Sequence, residues 1–159
     1  MGAKDAAKIV NDKEEWRLFS AMWLHAGLFH LLSNMYGLYQ AGFSGEQAHG
    51  WWRIGMIYLI GGLMGNVASS IFLPASITVG ASGAVFSLFG AMWGDFVQNW
   101  ALYKGGRCAQ LFSLILMTII NLGLGAVVPM IDNFAHMGGF VAGLLLSLAL
   151  FPRGTITSC

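Results

Sequence analysis

The sequence predicts an all-α polytopic membrane protein, a bundle of helices behind a polar N-terminal segment, and three observations predict it. Of the 159 residues 57% are hydrophobic and only 9% charged, against about 25% charged in an ordinary soluble domain. Eight of the fifteen charged residues lie before residue 18. The rest carries more apolar surface than a chain of this size can hide in a water-soluble core. The uncharged stretches that follow have about the length that a hydrocarbon core of about 30 Å asks of a helix. They are read as helices because open sheet leaves backbone groups unpaired in lipid.

Residues 1–17 form the polar segment, which has no apolar stretch of the kind found in a signal peptide. Residues 18–152 form the membrane domain, with helices over about 20–42, 53–73, 82–100, 109–128 and 134–151, and residues 153–159 form a short tail. The uncharged run from Ile54 to Gly94 is too long for one crossing. Pro74 and the small, polar stretch from Ser76 to Gly83 divide it. Five crossings place the termini on opposite sides. Lys4, Lys8, Lys13 and Arg17 then tie with Arg53, Lys104, Arg107 and Arg153, but the loops alone favour a cytoplasmic C-terminus. Trp16, Trp51, Trp52 and Trp100 fall near span ends, as interfacial anchors do. Gly61 with Gly65, Gly90 with Gly94, and Ala135 with Gly139 and Gly143 recur at four-residue spacing, which predicts helices in close contact.

The composition and spacings exclude several functions. A net charge of +1 without a basic stripe speaks against nucleic-acid binding. Cys108 and Cys159 make neither a disulfide framework nor a zinc knuckle. His25 and His30 lack the Glu and the spacing of a zinc-protease helix. Asp95 is the one carboxylate within the expected spans, too few for an aspartyl dyad.

A polar side chain in hydrocarbon is expensive and so is a functional candidate. Ser33, Ser69, Ser70 and Ser87 are read as bonded to their own helix backbone, Asn66 and Asn121 as interhelical hydrogen bonders, and Asp95 as interfacial or paired. Ser82 stands apart because it opens a helix within Gly80-Ala81-Ser82-Gly83. A helix start has unbonded N–H groups, and the flanking Gly80 and Gly83 admit a close carbonyl. A serine there has an approachable hydroxyl and ready oxyanion donors, although glycines that merely serve helix packing would read the same. His136, one turn into the last helix, is the natural base for such a hydroxyl. The competing reading is a core histidine bonded to a carbonyl. Asp132 could orient His136, but Asp132-Asn133 reads better as a helix N-cap. His30 and Asn34 share a face of the first span and could donate to an oxyanion. His25 is off that face unless the helix begins later.

These pieces, in this order, resemble the rhomboid intramembrane serine proteases. The resemblance rests on Trp16-Arg17, on His25, His30 and Asn34 in HAGLFHLLSNM, on Glu46 and Gly50, on GASGAVFSLFGA around Ser82, and on AHMGGFVAG around His136. It covers residues 16 to about 151, and DNFAHMGGF looks more like eukaryotic members. The resemblance implies that Ser82 is the nucleophile and His136 its base, without an acid. It also implies an oxyanion hole of His30, Asn34 and the Ser82 backbone N–H, and that Phe86 packs near the histidine. Trp16-Arg17 would lie in a loop in the outer leaflet, with the site facing lumen or exterior. The family core has six membrane helices, the serine opening the fourth and the histidine in the sixth. Here these are the third and fifth, so five of six are present and the first is not among residues 1–15.

The expected function is an intramembrane serine endopeptidase that cleaves single-span membrane proteins, needing no cofactor or metal. A rhomboid-like protein that binds membrane clients without cutting them is the alternative. A channel lined by His25, His30 and His136 is a third reading.

Overall fold

The computed structural model describes the backbone of residues 2–127 and 131–154, with side chains at all of these except 124–127. Residue 128, at the end of the fourth expected span, and residues 155–159, most of the expected tail with Cys159, lie outside the described residues. The fold is an all-α bundle. Its helices are α1 (Ala6–Asn11), α2 (Arg17–Ser20), α3 (Leu28–Leu38), α4 (Ser44–His49), α5 (Trp51–Phe72), α6 (Ser82–Gln98), α7 (Arg107–Val127) and α8 (Asn133–Leu150). A 3-10 turn, Ala21–Trp23, follows α2, and a π-helical turn, Tyr39–Phe43, joins α3 to α4.

The first expected span, 20–42, is corrected. Leu24 is extended, at φ −99° and ψ 148°, and so is Gly27, at φ 166° and ψ 172°. The Ala26 N–H is bonded to His30 Nδ1 at 3.3 Å instead of to a helical carbonyl, and α3 starts at Leu28. The later helices differ from expectation by one or two residues at their ends, which is ordinary for helix termini. By length and composition α5 and α8 can cross a membrane, and Arg107–Gly123 of α7 is a shorter apolar stretch. Loop 24–27 and the π-helical turn hold α3 to 11 residues, and α6 ends at Gln98 after 17, so the expected five full-length crossings are not all formed as single long helices.

Packing centres on α5, α6 and α8. A Cβ on Gly139 would overlap the Gly83 carbonyl oxygen, and one on Gly143 the Ser87 carbonyl oxygen. Further along, Gly90 meets the Phe140 carbonyl and Gly94 the Ser147 hydroxyl. These contacts advance together along both helices, so α6 and α8 run parallel at backbone contact. On α5, Gly65 faces Ala135 while Gly61 faces Ser87, so α5 runs antiparallel to both. Gly37 of α3 packs on Val85, and Gly42 of the π-helical turn that follows lies near Leu88. The starts of α3, α6 and α8 therefore lie at one end of the bundle. The packed core includes Ile57, Val85, Phe86, Leu88 and Phe89.

Several polar residues expected inside the membrane are satisfied in ways the sequence anticipates. Ser33 donates to Phe29 O at 2.9 Å and Ser70 to Asn66 O at 2.8 Å. Asn66 Nδ2 donates to Leu18 O at 2.7 Å, between helices. Two differ. Ser69 donates to the Asp132 carboxylate on another helix, and Asn121 stays within its own helix, on Met117 O. Asp95 is paired, accepting from Asn99 and Tyr103 and lying 3.3 Å from His49 Nε2.

Candidate active site

Ser82 is the first residue of α6, whose N-cap position, Ala81, offers no side-chain cap. The Val85 N–H is bonded to Ala81 O at 2.9 Å, so the N–H groups of Ser82, Gly83 and Ala84 precede the first intrahelical bond and remain available as donors. Ahead of Ser82, the loop is anchored by the Gly80 N–H, which donates to Ala21 O at 2.9 Å. Gly80 has φ +142°, in the region that favours glycine. A Cβ there would stand 2.8 Å from His30 Cε1, 2.9 Å from His30 Nε2 and 3.6 Å from Ser82 Oγ. The absence of that carbon lets the His30 ring and the Ser82 hydroxyl converge on one point.

His30 lies on α3, and its Nδ1 accepts the Ala26 N–H. In the neutral ring an accepting Nδ1 places the proton on Nε2, the nitrogen that faces Gly80. Asn34, one turn on, is buried. Its Nδ2 donates to His30 O at 2.8 Å, which leaves its second amide proton uncommitted by that bond.

His136 is held one turn into α8. It is buried, and its ring stacks on Phe86, centroids 4.0 Å apart and planes inclined by 10°. Phe86 is one turn along α6 from Ser82, so the stack brings the imidazole to the helix face that carries the serine. Gly83, on the same turn, lets α8 approach, and Ala135 O lies 3.3 Å from the point where a Cβ would stand. Among the described residues His136 Nδ1 is buried without a hydrogen-bond partner, and no hydrogen bond joins its ring to Ser82 Oγ. Asp132 caps α8 through the Ala135 N–H at 2.9 Å and accepts from Ser69. Its carboxylate is thus engaged with the helix start and with α5, and it makes no hydrogen bond to the His136 ring.

The remaining expected residues are spread more widely. His25 sits in the loop before α3, ring centroid 5.3 Å from that of His30 in an edge-on arrangement, because the helix starts later than its spacing suggested. Arg17 is buried. It pairs with Glu14, donates to Ala3 O at 3.2 Å and lies under the exposed Trp16 ring at 4.9 Å, so this pair secures the N-terminal segment and does not reach Ser82. Glu46 is exposed on α4, at the far end of the α3 to α4 run from His30, where its carbonyl accepts the Gly50 N–H at 2.9 Å. Among the described residues no cluster of His, Cys, Asp and Glu could hold a metal. Sequence reasoning missed Lys4, whose ammonium bonds the loop ahead of Ser82. A polar N-terminal stretch carries no signal for that contact.

A sequence model of the rhomboid domain matches residues 12–153. RHOMBOID-like protein 1 of Arabidopsis thaliana is 47% identical over 153 residues, which is 96% of this chain and 39% of that protein. RHOMBOID-like protein 2 of the same plant is 49% identical, covering 96% and 48%. Inactive rhomboid protein 1 of Rattus norvegicus is 37% identical over 137 residues, covering 86% and 16%. The chain thus spans less than half the length of these relatives.

Proposed function

The chain belongs to the rhomboid family and is a membrane protein, and from that premise we infer that it is an intramembrane serine endopeptidase working through Ser82 and His136. The observation that carries the reading is the convergence at Gly80, with the His30 ring and the Ser82 hydroxyl on one point and His136 stacked one turn along the same helix. In the reaction Ser82 Oγ attacks the scissile carbonyl carbon while His136 takes the hydroxyl proton. The oxyanion that forms receives the Ser82 N–H, the His30 Nε2–H and the free proton of the Asn34 amide. Collapse returns the proton from His136 to the leaving amine and leaves an acyl-enzyme. Water activated by His136 then releases the new carboxylate. Among the described residues the His136 Nδ1 has no carboxylate partner, so in this reading the base acts in a dyad, held by its stack on Phe86. The missing Ser82–His136 hydrogen bond is compatible with this, because catalytic hydrogen bonds often tighten only when substrate binds.

Substrates in this reading are single-span membrane proteins, the site end of the bundle faces the lumen or exterior, and the C-terminus is cytoplasmic. The test is cleavage of a single-span test substrate by the full chain in detergent. Cleavage is expected to be lost in Ser82→Ala and in His136→Ala, and its survival in both would overturn the dyad. The likeness to an inactive rhomboid protein, together with the unformed Ser82–His136 bond, supports a second reading as a client-binding protein. Covalent labelling by a fluorophosphonate that is lost in Ser82→Ala separates the two, since a binder has no activated serine.

A further inference from the structure

Residues 2–4 lie between the segment that precedes α3 and the loop that carries Ser82, and their polar groups are committed to both. On one side Ser20 Oγ–H donates to Gly2 O at 2.7 Å and Arg17 Nη1–H to Ala3 O at 3.2 Å. On the other, Lys4 N–H donates to Thr78 O at 2.9 Å and Thr78 N–H to Lys4 O at 3.1 Å, an isolated antiparallel bridge. The Lys4 side chain is fully buried. Its ammonium donates to Leu73 O at 2.9 Å and Ser76 O at 2.7 Å, carbonyls on either side of Pro74 where α5 has ended and helical partners have run out. Burying a charge is costly unless it is hydrogen-bonded. Burial pushes the Lys4 ammonium below the ordinary lysine range, and the carboxylates of Asp132 and Asp5 oppose that shift. Asp132 is also the cap of the His136 helix, so this one cation is bonded to the serine loop and sits in the field of the histidine helix start.

We propose that Lys4 is a positioning residue for the nucleophile: its ammonium and its bridge to Thr78 hold loop 73–80 against residues 17–21 and so set where Ser82 meets His30 and His136. The proposal rests on the reading of Ser82 as the nucleophile. The path is short. Thr78 is two residues before Gly80, whose N–H is tied to Ala21 O and whose Cα faces both His30 and Ser82. Displacing the serine by about 1 Å can cost about a hundredfold in rate, so a group that fixes the loop acts on turnover without touching substrate.

The experiment compares the full chain with Lys4→Met, Lys4→Gln and Ser20→Ala, well below the unfolding temperature. It follows the rate of Ser82 labelling by a fluorophosphonate and kcat and KM on a single-span test substrate. Lys4→Met should lower both kcat and the labelling rate by about tenfold or more with KM within about twofold. Lys4→Gln, which keeps a neutral donor, should lose less. A purely structural role lowers the melting temperature and leaves kcat of the folded protein unchanged. Wild-type kcat and labelling in folded Lys4→Met would overturn the proposal. If Lys4→Met does not fold, wild-type kcat in both Lys4→Gln and Ser20→Ala does so. An unlabelled wild-type chain overturns the nucleophile reading instead, and this one with it.

Discussion

The His136 imidazole lies flat on the Phe86 ring, centroids 4.0 Å apart, with both residues buried. This stack fixes the plane of a ring whose Nδ1 has no hydrogen-bond partner among the described residues. Phe86→Ala should lower kcat about tenfold by freeing the ring and cost about 3 kcal/mol of stability from the lost core packing. Phe86→Tyr, which keeps the ring, should retain most of the kcat. Kinetics alongside a detergent unfolding titration separate the two effects.

His30 presents its Nε2 side to Gly80, next to Ser82. If it donates to the oxyanion, His30→Ala should lower kcat by about a hundredfold or more with little change in KM. Asn34→Ala should cost less, because one amide proton is already given to His30 O. Equal losses in KM and none in kcat would point to a binding role.

Asp132 caps α8 and accepts from Ser69. Asp132→Ala should therefore cost about 1 kcal/mol of stability, as a lost cap does, and leave kcat within a few-fold. A triad acid would instead cost about four orders of magnitude in kcat, so the rate of the folded variant distinguishes the roles.

Gly139 and Gly143 meet the carbonyls of Gly83 and Ser87 with no room for a Cβ. Gly139→Ala and Gly143→Ala should each destabilise the bundle by about 1–3 kcal/mol. Gly55→Ala, at a position with nothing within 4 Å, should be neutral or slightly stabilising. Detergent unfolding midpoints of the three variants test this.

At the other end of the bundle His49 stacks on Phe151 at 3.6 Å and faces Asp95. Burial holds its pKa below the ordinary 6.5, Asp95 opposing the shift and Arg53 reinforcing it. A folded-state pKa below the unfolded one means that stability is full above about 6.5 and falls as pH drops toward the folded value. Melting temperature should decline on acidification from neutral pH, and His49→Gln should flatten that decline. A melting temperature that rises on acidification would reverse the assigned direction.

The family and the all-α bundle were legible because they rest on local pattern. Pro74 marks the helix break, the glycines at four-residue spacing mark the faces that touch, and Asp132-Asn133 marks the α8 cap. The late start of α3 was not legible, since HAGLFH is apolar enough to continue a helix. It is the bond from Ala26 N–H to His30 and the extended Gly27 that end the loop there. Ser69 likewise reads as a self-bonded helical serine until α5 and α8 are packed and Asp132 arrives beside it.

By itself, then, the sequence determined the family, the helical bundle and the breaks that set Ser82 and Asn133 at helix starts, because hydropathy, glycine spacing and caps act over a few residues. Only the tertiary structure decided that His30 meets Ser82 at a glycine with no Cβ, that the expected Phe86–His136 contact is a parallel stack, and that Lys4 reaches across to residues 73–78. Each of these joins segments far apart in the chain, and such contacts depend on how the helices close on one another, which no local pattern encodes.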